Sequence, residues 1–200
     1  MFNDRYGLTD AVIEGRKTMT RRLINSMPKD CAAVHKNCRD AYWSDEPMSL
    51  VVDQGTGGVY CKYCGNGVRF WDGGYHNKAR YKVGEIVAVA QCYNDVVREF
   101  TDLAFVPGST NKMFVRADLM PHQIRITGIR VERLQDITDE DCIREGIRFM
   151  ENSDGYFTNG MSDEYTTPRE AFAALINAVS GKGTWKKNPW VVVYEFELLK

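Results

Sequence analysis

Several features are scarce in this chain of 200 residues, and each scarcity excludes a class of protein. Histidine occurs three times, so histidine-based catalysis is poorly supplied. No stretch is apolar for long enough to span a bilayer, and the first residues lack the apolar core of a signal peptide. There is no GxxxxGK[ST] phosphate loop, no internal repeat and no low-complexity tract. We therefore expect a cytoplasmic protein that folds as a single domain over residues 1–200 and has no membrane partner.

Positive charge is not in excess, since the formal net charge is -1. This balance argues against a protein that coats nucleic acid through bulk positive charge. The charge is nevertheless uneven along the chain. Residues 1–37 carry seven Lys and Arg against four Asp and Glu, whereas residues 132–164 carry three against ten. A small cationic site that faces an acidic segment fits this distribution.

Six cysteines in a chain without an export signal are expected to be thiols or metal ligands, because cytosolic redox buffers keep thiols reduced. Two of them form a Cys-x-x-Cys pair, whose spacing suits a tetrahedral zinc ion. The alternative is a set of reduced thiols without metal. The candidate zinc ligands are Cys31, Cys38, Cys61 and Cys64, with His35 or His76 as substitutes for the upstream pair.

The chemically densest stretch is Gly15–Arg22, which contains four cations and two hydroxyls in eight residues. It follows a short predicted helix that Thr9 caps and that Gly15 ends. Such a run can be a solvated helix end, it can bind phosphate, or it can hold Lys17 and Thr20 close enough to react together. Arg21 and Arg22 are expected to hold phosphate or to lie on the surface as plain charge.

The remaining pattern predicts an α+β protein. Residues 86–90 form a continuously apolar run that is typical of a strand buried on both faces, and Gln91 marks its polar exit. A weak strand is predicted around residues 113–115, and a strand over residues 123–132 changes its apolar phase at Gly128, which predicts a bulge.

Two helices and a last strand complete the prediction. Thr138 caps a helix that Gly146 ends. Thr167, Pro168 and Glu170 begin a longer helix whose buried face is Phe172, Leu175, Ile176 and Val179. Residues 190–198 alternate as a closing strand. The expected architecture is a small mixed β-barrel with flanking helices and a long irregular insertion at about residues 25–80.

Four motifs in order give this chain a resemblance to the ASCH domain, a relative of the PUA fold. They are Gly15-x-Lys17-x-x-x-x-Arg22, Val83-Gly84-Glu85 before a buried strand, the helix at Ile137–Gly146, and the closing strand with Asn188-Pro189-Trp190. The pattern resembles the longer ASCH proteins of phages and prophages, in which the insertion has its place.

The resemblance implies two activities. ASCH domains are regarded as RNA binders, and one small bacterial branch hydrolyses the acetyl amide of N4-acetylcytidine with a lysine, a threonine and a glutamate. By motif these catalytic residues fall on Lys17, Thr20 and Glu145, which we expect to line one cleft. Where many relatives have Val-Arg-Glu after the buried strand, this chain has Val-Ala-Gln, ending at Gln91.

The first hypothesis is therefore an RNA-binding or nucleotide-binding module with a cationic cleft, in which aromatic side chains of the insertion stack on bases. The alternatives are an amidohydrolase that acts on a modified nucleoside, and a phage accessory protein that makes protein contacts alone. The ligand-binding residues expected for the first hypothesis are Gly15, Arg16, Lys17, Arg21, Arg22 and Gln91.

Overall fold

The main element of the fold is a curled, half-barrel sheet of four antiparallel strands. The computed structural model describes residues 2–24, 50–61, 70–71, 75–76, 79–96 and 106–199, with residues 50, 60–61, 70–71 and 75–76 described by backbone alone. The strand order is β1 (Met19–Leu23), β10 (Trp190–Leu199), β7 (Gln123–Arg133) and β6 (Ile86–Ala88). The expected α+β class is confirmed. The expected mixed barrel is not seen in the described residues, whose sheet is antiparallel and open.

The two central strands, β7 and β10, show the predicted bulge. Glu195 faces Gly128 and the next residue, Phe196, faces Ile126, so Thr127 is the extra residue of β7. An extra residue shifts the side-chain alternation by one, which is why the apolar phase of the sequence changes at this point.

One edge strand differs from its prediction. β6 pairs with β7 alone among the described strands, and the Ile86 side chain is 53% exposed. An apolar strand is buried on both faces only where other elements pack on both of them. The apolar pattern of the strand does not show whether such elements are present. The strand predicted around residue 113 is also wrong, because Asn111 caps a 3-10 turn over Lys112–Phe114.

Five helices flank the sheet in the described residues. Thr138 and Thr167 cap the third and fourth as predicted, with Pro168 and Glu170 in the first turn of the fourth. The cap predicted at Thr9 is wrong, because Gly7 is the N-cap and the Thr9 hydroxyl donates to Asp4. The helices are α1 (Leu8–Ile13), α2 (Tyr93–Val96), α3 (Asp139–Arg144), α4 (Pro168–Ser180) and α5 (Thr184–Lys187).

The sheet separates two cores, which we call the helical core and the second core. β10 contributes Val191 and Val193 to the helical core and Val192 and Tyr194 to the second core, as expected of a central strand buried on both faces. α4 adds Phe172, Leu175 and Ile176 to the helical core. Val179, predicted for the same buried face, is 41% exposed near the end of this helix.

Three two-stranded hairpins lie outside the main sheet. They pair β2 (Leu50–Val52) with β3 (Val59–Cys61), β4 (Phe70–Trp71) with β5 (Tyr75–His76), and β8 (Arg148–Met150) with β9 (Gly155–Phe157). The first two fall in the segment predicted as an irregular insertion, which is therefore partly regular. Gln54, in the β2–β3 turn, exchanges hydrogen bonds with the main chain of Ile129 in β7.

Of the predicted zinc ligands, Cys31, Cys38 and Cys64 lie outside the described residues, and Cys61 is described by its backbone alone. Within the described part of the chain, no group of three His, Cys, Asp or Glu side chains is arranged to hold a metal ion. None of the described helices is both long enough and apolar enough to cross a membrane.

Candidate functional site

The Gly15–Arg22 stretch turns from α1 into β1, and main-chain hydrogen bonds fix the turn. Gly15 has φ +75°, a conformation that favours glycine. The Lys17 N–H donates to the Ala11 carbonyl at 2.8 Å, and the Thr18 N–H donates to the Arg144 carbonyl at 3.0 Å. These bonds attach the stretch to α1 and α3, so that the Lys17 side chain enters the space between the two helices and β1.

Lys17 is buried, with 2% of its surface exposed. Its Nζ donates to Glu145 Oε2 at 2.6 Å and to the Glu145 carbonyl oxygen at 2.7 Å. Burial lowers the pKa of Lys17 below its ordinary value of 10.5, and the opposing attraction of Glu145 does not cancel this effect. An amine with a lowered pKa is closer to the neutral form that can accept a proton.

Glu145 owes its position to the end of α3. It is the C-cap residue, and Gly146 follows with φ +107°, which ends the helix. Its main-chain carbonyl belongs to the negative end of the helix, and a cation such as Lys17 is stabilised there. The Glu145 residue is buried, with 4% of its surface exposed. It therefore binds Lys17 through both its main chain and its side chain.

Arg21 is the centre of the charged cluster, and the prediction of Arg21 as plain surface charge is wrong. Its side chain is 1% exposed. The guanidinium donates to Glu132 at 2.6 Å, to Asp141 at 2.7 Å and to Glu145 at 3.1 Å. Three carboxylates can share one guanidinium because its planar group carries five N–H donors.

A further ring of charges, which sequence reasoning missed, surrounds this centre. Arg130 bonds Glu132 at 2.8 Å and Asp141 at 2.5 Å, and it also bonds Glu195. Arg144 approaches Asp141 at 3.6 Å and Glu195 at 3.4 Å. The sequence carries one signal for it, since Arg130 and Glu132 take alternate positions of a strand and therefore share one face of the sheet.

We call this set the charge network. It joins the basic N-terminal segment to the acidic segment at residues 132–164, an arrangement that fits the uneven charge distribution. Its four cations and four carboxylates balance in formal charge. The members are Lys17, Arg21, Arg130 and Arg144, with Glu132, Asp141, Glu145 and Glu195.

A cavity of about 440 Å³ opens beside the network, and we call it the Lys17 cavity. Its volume lies in the range of small-molecule sites. Its lining combines charged and polar residues with apolar residues of α4. The lining residues are Phe2, Asn3, Leu8, Lys17, Thr20, Arg21, Arg22, Leu23, Glu145, Phe172, Leu175, Ile176, Val179 and Ser180.

The prediction that Lys17, Thr20 and Glu145 line one cleft is confirmed. In the described part of the chain, however, no hydrogen bond joins the Thr20 hydroxyl to Lys17 or Glu145. Arg21 and Arg22 line the same cavity. Their roles in catalysis or binding stay predictions.

Three residues predicted to bind the same ligand do not line this cavity. Gly15 forms the preceding turn, and the Arg16 guanidinium pairs with Glu14 at 2.5 Å. Gln91 lies beyond β6, at the opposite edge of the sheet from β1, where its N–H meets the Met120 sulfur at 3.3 Å. Gln91 is therefore too far along the sheet to share a cavity beside β1, and its Oε1 is buried without a partner among the described residues.

Comparison with known families finds no family model that matches the chain, and no match is found among curated proteins or among solved structures. The resemblance to the ASCH domain therefore stays a prediction from the motifs.

Proposed function

We propose that the protein is an amidohydrolase that removes the acyl group from a modified nucleoside such as N4-acetylcytidine. The observation that carries this proposal is the contact between Lys17 Nζ and Glu145 Oε2, at 2.6 Å, inside a cavity that Thr20 also lines. A buried group with a shifted pKa, such as Lys17, is common at catalytic sites. The resemblance to the N4-acetylcytidine-hydrolysing branch assigns the same three residue types to this position.

The chemistry follows from the state of each group. Lys17 in its neutral form takes the hydroxyl proton of Thr20, and the Thr20 oxygen adds to the acyl carbon. The C–N bond then breaks, and the protonated Lys17 returns the proton to the leaving amine. Water adds to the acyl-threonine ester while Glu145 accepts its proton, and that proton returns to the Thr20 oxygen as the carboxylic acid leaves. One water is consumed for each amide cleaved.

The apolar residues in the cavity lining support a substrate with a small acyl group. Phe172, Leu175 and Ile176 of α4 line the cavity together with the charged residues. A methyl or short alkyl group is stabilised by contact with such side chains, whereas a phosphate is not.

The charge network makes the alternative, a cationic RNA-binding cleft, the weaker candidate. Phosphate binding needs cations whose charge is available to the ligand. Lys17 and Arg21 instead donate to buried carboxylates, and Arg16 pairs with Glu14. An RNA mobility-shift series at low salt tests this alternative, and tight, salt-sensitive binding would favour it over the hydrolase.

Incubation with N4-acetylcytidine, followed by chromatography of the cytidine formed, tests the proposal. We expect the wild-type protein to form cytidine, and we expect Lys17→Met and Glu145→Gln to slow the reaction by about 10²- to 10⁴-fold, the usual contribution of a general acid or base. Arg125→Met is the matched control, because Arg125 forms an exposed ion pair with Glu197 away from the cavity.

The control variant should keep the wild-type rate. The proposal is wrong if the wild-type protein releases no cytidine above the protein-free reaction, or if Lys17→Met reacts as fast as the wild type.

A further inference from the structure

β1 is an edge strand that borders the Lys17 cavity. It pairs with β10 on one side, and no strand of the described residues pairs with its other side. Four consecutive β1 residues, from Thr20 to Leu23, line the cavity. Main-chain groups on the outer side of β1 therefore face the space where the ligand would lie.

The alternation of hydrogen bonds between β1 and β10 shows which β1 main-chain groups face outward. The Phe196 N–H donates to the Thr18 carbonyl at 2.9 Å, and the Ile24 N–H donates to the Trp190 carbonyl at 3.1 Å. The register between these two bonds is unbroken. Since hydrogen-bonded pairs alternate along an antiparallel ladder, the even-numbered residues of β1 point their N–H and C=O groups toward β10.

The odd-numbered residues consequently point their N–H and C=O groups away from β10. Arg21 and Leu23 are the odd-numbered β1 residues that line the cavity. Among the described residues, none forms a hydrogen bond with the main chain of either. Main-chain groups that lose water without gaining a partner raise the free energy, so a ligand that bonds to them is favoured.

We infer that this edge of β1 binds the hydrogen-bonding edge of a nucleobase, with the Arg21 carbonyl accepting from an exocyclic N–H and the Leu23 N–H donating to a ring acceptor. Cytosine and its N4-acyl derivatives carry both groups on one edge. This inference rests on the proposed function for the identity of the ligand.

The direction of β1 agrees with the chemistry. The strand runs from the Lys17 end toward Leu23, so the Arg21 carbonyl is nearer to Lys17 than the Leu23 N–H is. A base bound in this orientation places its exocyclic nitrogen, which carries the acyl group, toward Lys17 and Glu145. Side chains thus perform the reaction, and the main chain of the edge strand selects the base.

Leu23→Pro tests the inference because proline removes one N–H. Proline is tolerated at an edge-strand position whose N–H points away from the ladder, so the pairing of β1 with β10 should persist. Leu23→Ala is the matched control, since it removes the side chain and keeps the N–H. Thermal unfolding of the two variants checks that both fold.

Isothermal titration with cytidine measures binding without requiring hydrolysis. We expect Leu23→Pro to bind cytidine about three- to tenfold more weakly than Leu23→Ala, as befits the loss of one hydrogen bond. Equal affinities of the two variants, or no binding of cytidine to the wild-type protein, would overturn the inference.

A second measurement uses the wild-type protein and does not depend on the folding of any variant. N4,N4-dimethylcytidine lacks the exocyclic N–H, whereas 5-methylcytidine keeps it and adds bulk elsewhere. We expect the dimethyl compound to bind about three- to tenfold more weakly, and equal binding would contradict base recognition by the Arg21 carbonyl.

The two proposals fail separately. Absence of hydrolysis together with these binding differences would remove the hydrolase and keep base recognition. Hydrolysis that depends on Lys17, with equal binding by Leu23→Pro and Leu23→Ala, would keep the hydrolase and remove base recognition.

Discussion

The two faces of the central sheet are built from different chemistry. The face that packs on the helices carries the charge network together with the helical core. The other face buries the second core, whose members include Ile126, Val192 and Tyr194. Buried charges are costly unless they are paired, whereas buried apolar groups stabilise directly. Both faces therefore bury an apolar core, and the charge network is what distinguishes the helical face.

Arg21→Met should give the largest change in stability. It removes the one cation that contacts Glu132, Asp141 and Glu145 together. Breaking a buried ion pair from one side costs about 3–5 kcal/mol, because a charge is left without its partner. The free energy of unfolding in urea measures the loss. A change below 1 kcal/mol, or about the size of a surface substitution, would mean that the network is not energetically coupled.

Ile126→Val should give a smaller change, on the other face. Ile126 is fully buried in the second core, and the loss of one methylene there costs about 0.5–1.5 kcal/mol. The same urea measurement applies, and the rate of nucleoside hydrolysis should stay at the wild-type value. A large loss of hydrolysis at unchanged stability would contradict the placement of the reaction on the helical face.

The pH dependence of stability should separate the charged face from the apolar one. Burial lowers the pKa of Lys17 in the folded protein below the ordinary value of 10.5. At pH values between the folded-state pKa and the ordinary pKa of 10.5, Lys17 is protonated in the unfolded chain and neutral in the folded protein. The contribution of Lys17 to the free energy of unfolding therefore rises with pH up to 10.5. Urea unfolding of the wild type and of Lys17→Met at a series of pH values measures this slope.

The pH-dependent contribution of Lys17 to the free energy of unfolding should be absent in Lys17→Met and unchanged in Ile126→Val. A wild-type slope equal to that of Lys17→Met throughout the alkaline range would show that Lys17 has an ordinary pKa in the folded protein.

Glu197→Gln should give the smallest change. Glu197 and Arg125 form an ion pair at 3.1 Å whose side chains are about half exposed. Exposed pairs contribute less than about 1 kcal/mol, since water and salt screen them. The urea midpoint should barely move, and high salt should remove the small difference. A loss of unfolding free energy comparable with that of Arg21→Met would show that buried and exposed ion pairs contribute equally to stability in this protein.

Local signals in the sequence predicted the local structure well. Thr167, Pro168 and Glu170 define the start of α4 because a helix N-terminus needs side-chain acceptors and tolerates proline there. The phase change at Gly128 defines the bulge of β7. The family resemblance predicts that Lys17 and Glu145 share one cleft, and their side chains are in contact. In each case the determining residues are within a few positions of one another or within a known pattern.

Sequence reasoning failed where a distant neighbour decides the outcome. Arg21 reads as surface charge within its own stretch, and only the fold brings Glu132 and Asp141 to it. Ile86 reads as buried because its run is apolar, but β6 lies at an edge of the described sheet. The sequence pattern of a strand predicts which residues share a face. It does not predict which other elements pack on that face.

Hydrolysis of N4-acetylcytidine by Lys17→Arg, compared with the wild type across a range of pH, tests the central claim most directly. Arginine keeps the positive charge and can bond Glu145, but it stays protonated and cannot accept a proton from Thr20. We predict that wild-type activity rises with pH as Lys17 loses its proton and that Lys17→Arg is slower than the wild type by about 10²- to 10⁴-fold, without this rise. Activity of Lys17→Arg equal to that of the wild type would contradict the claim that Lys17 acts as a base.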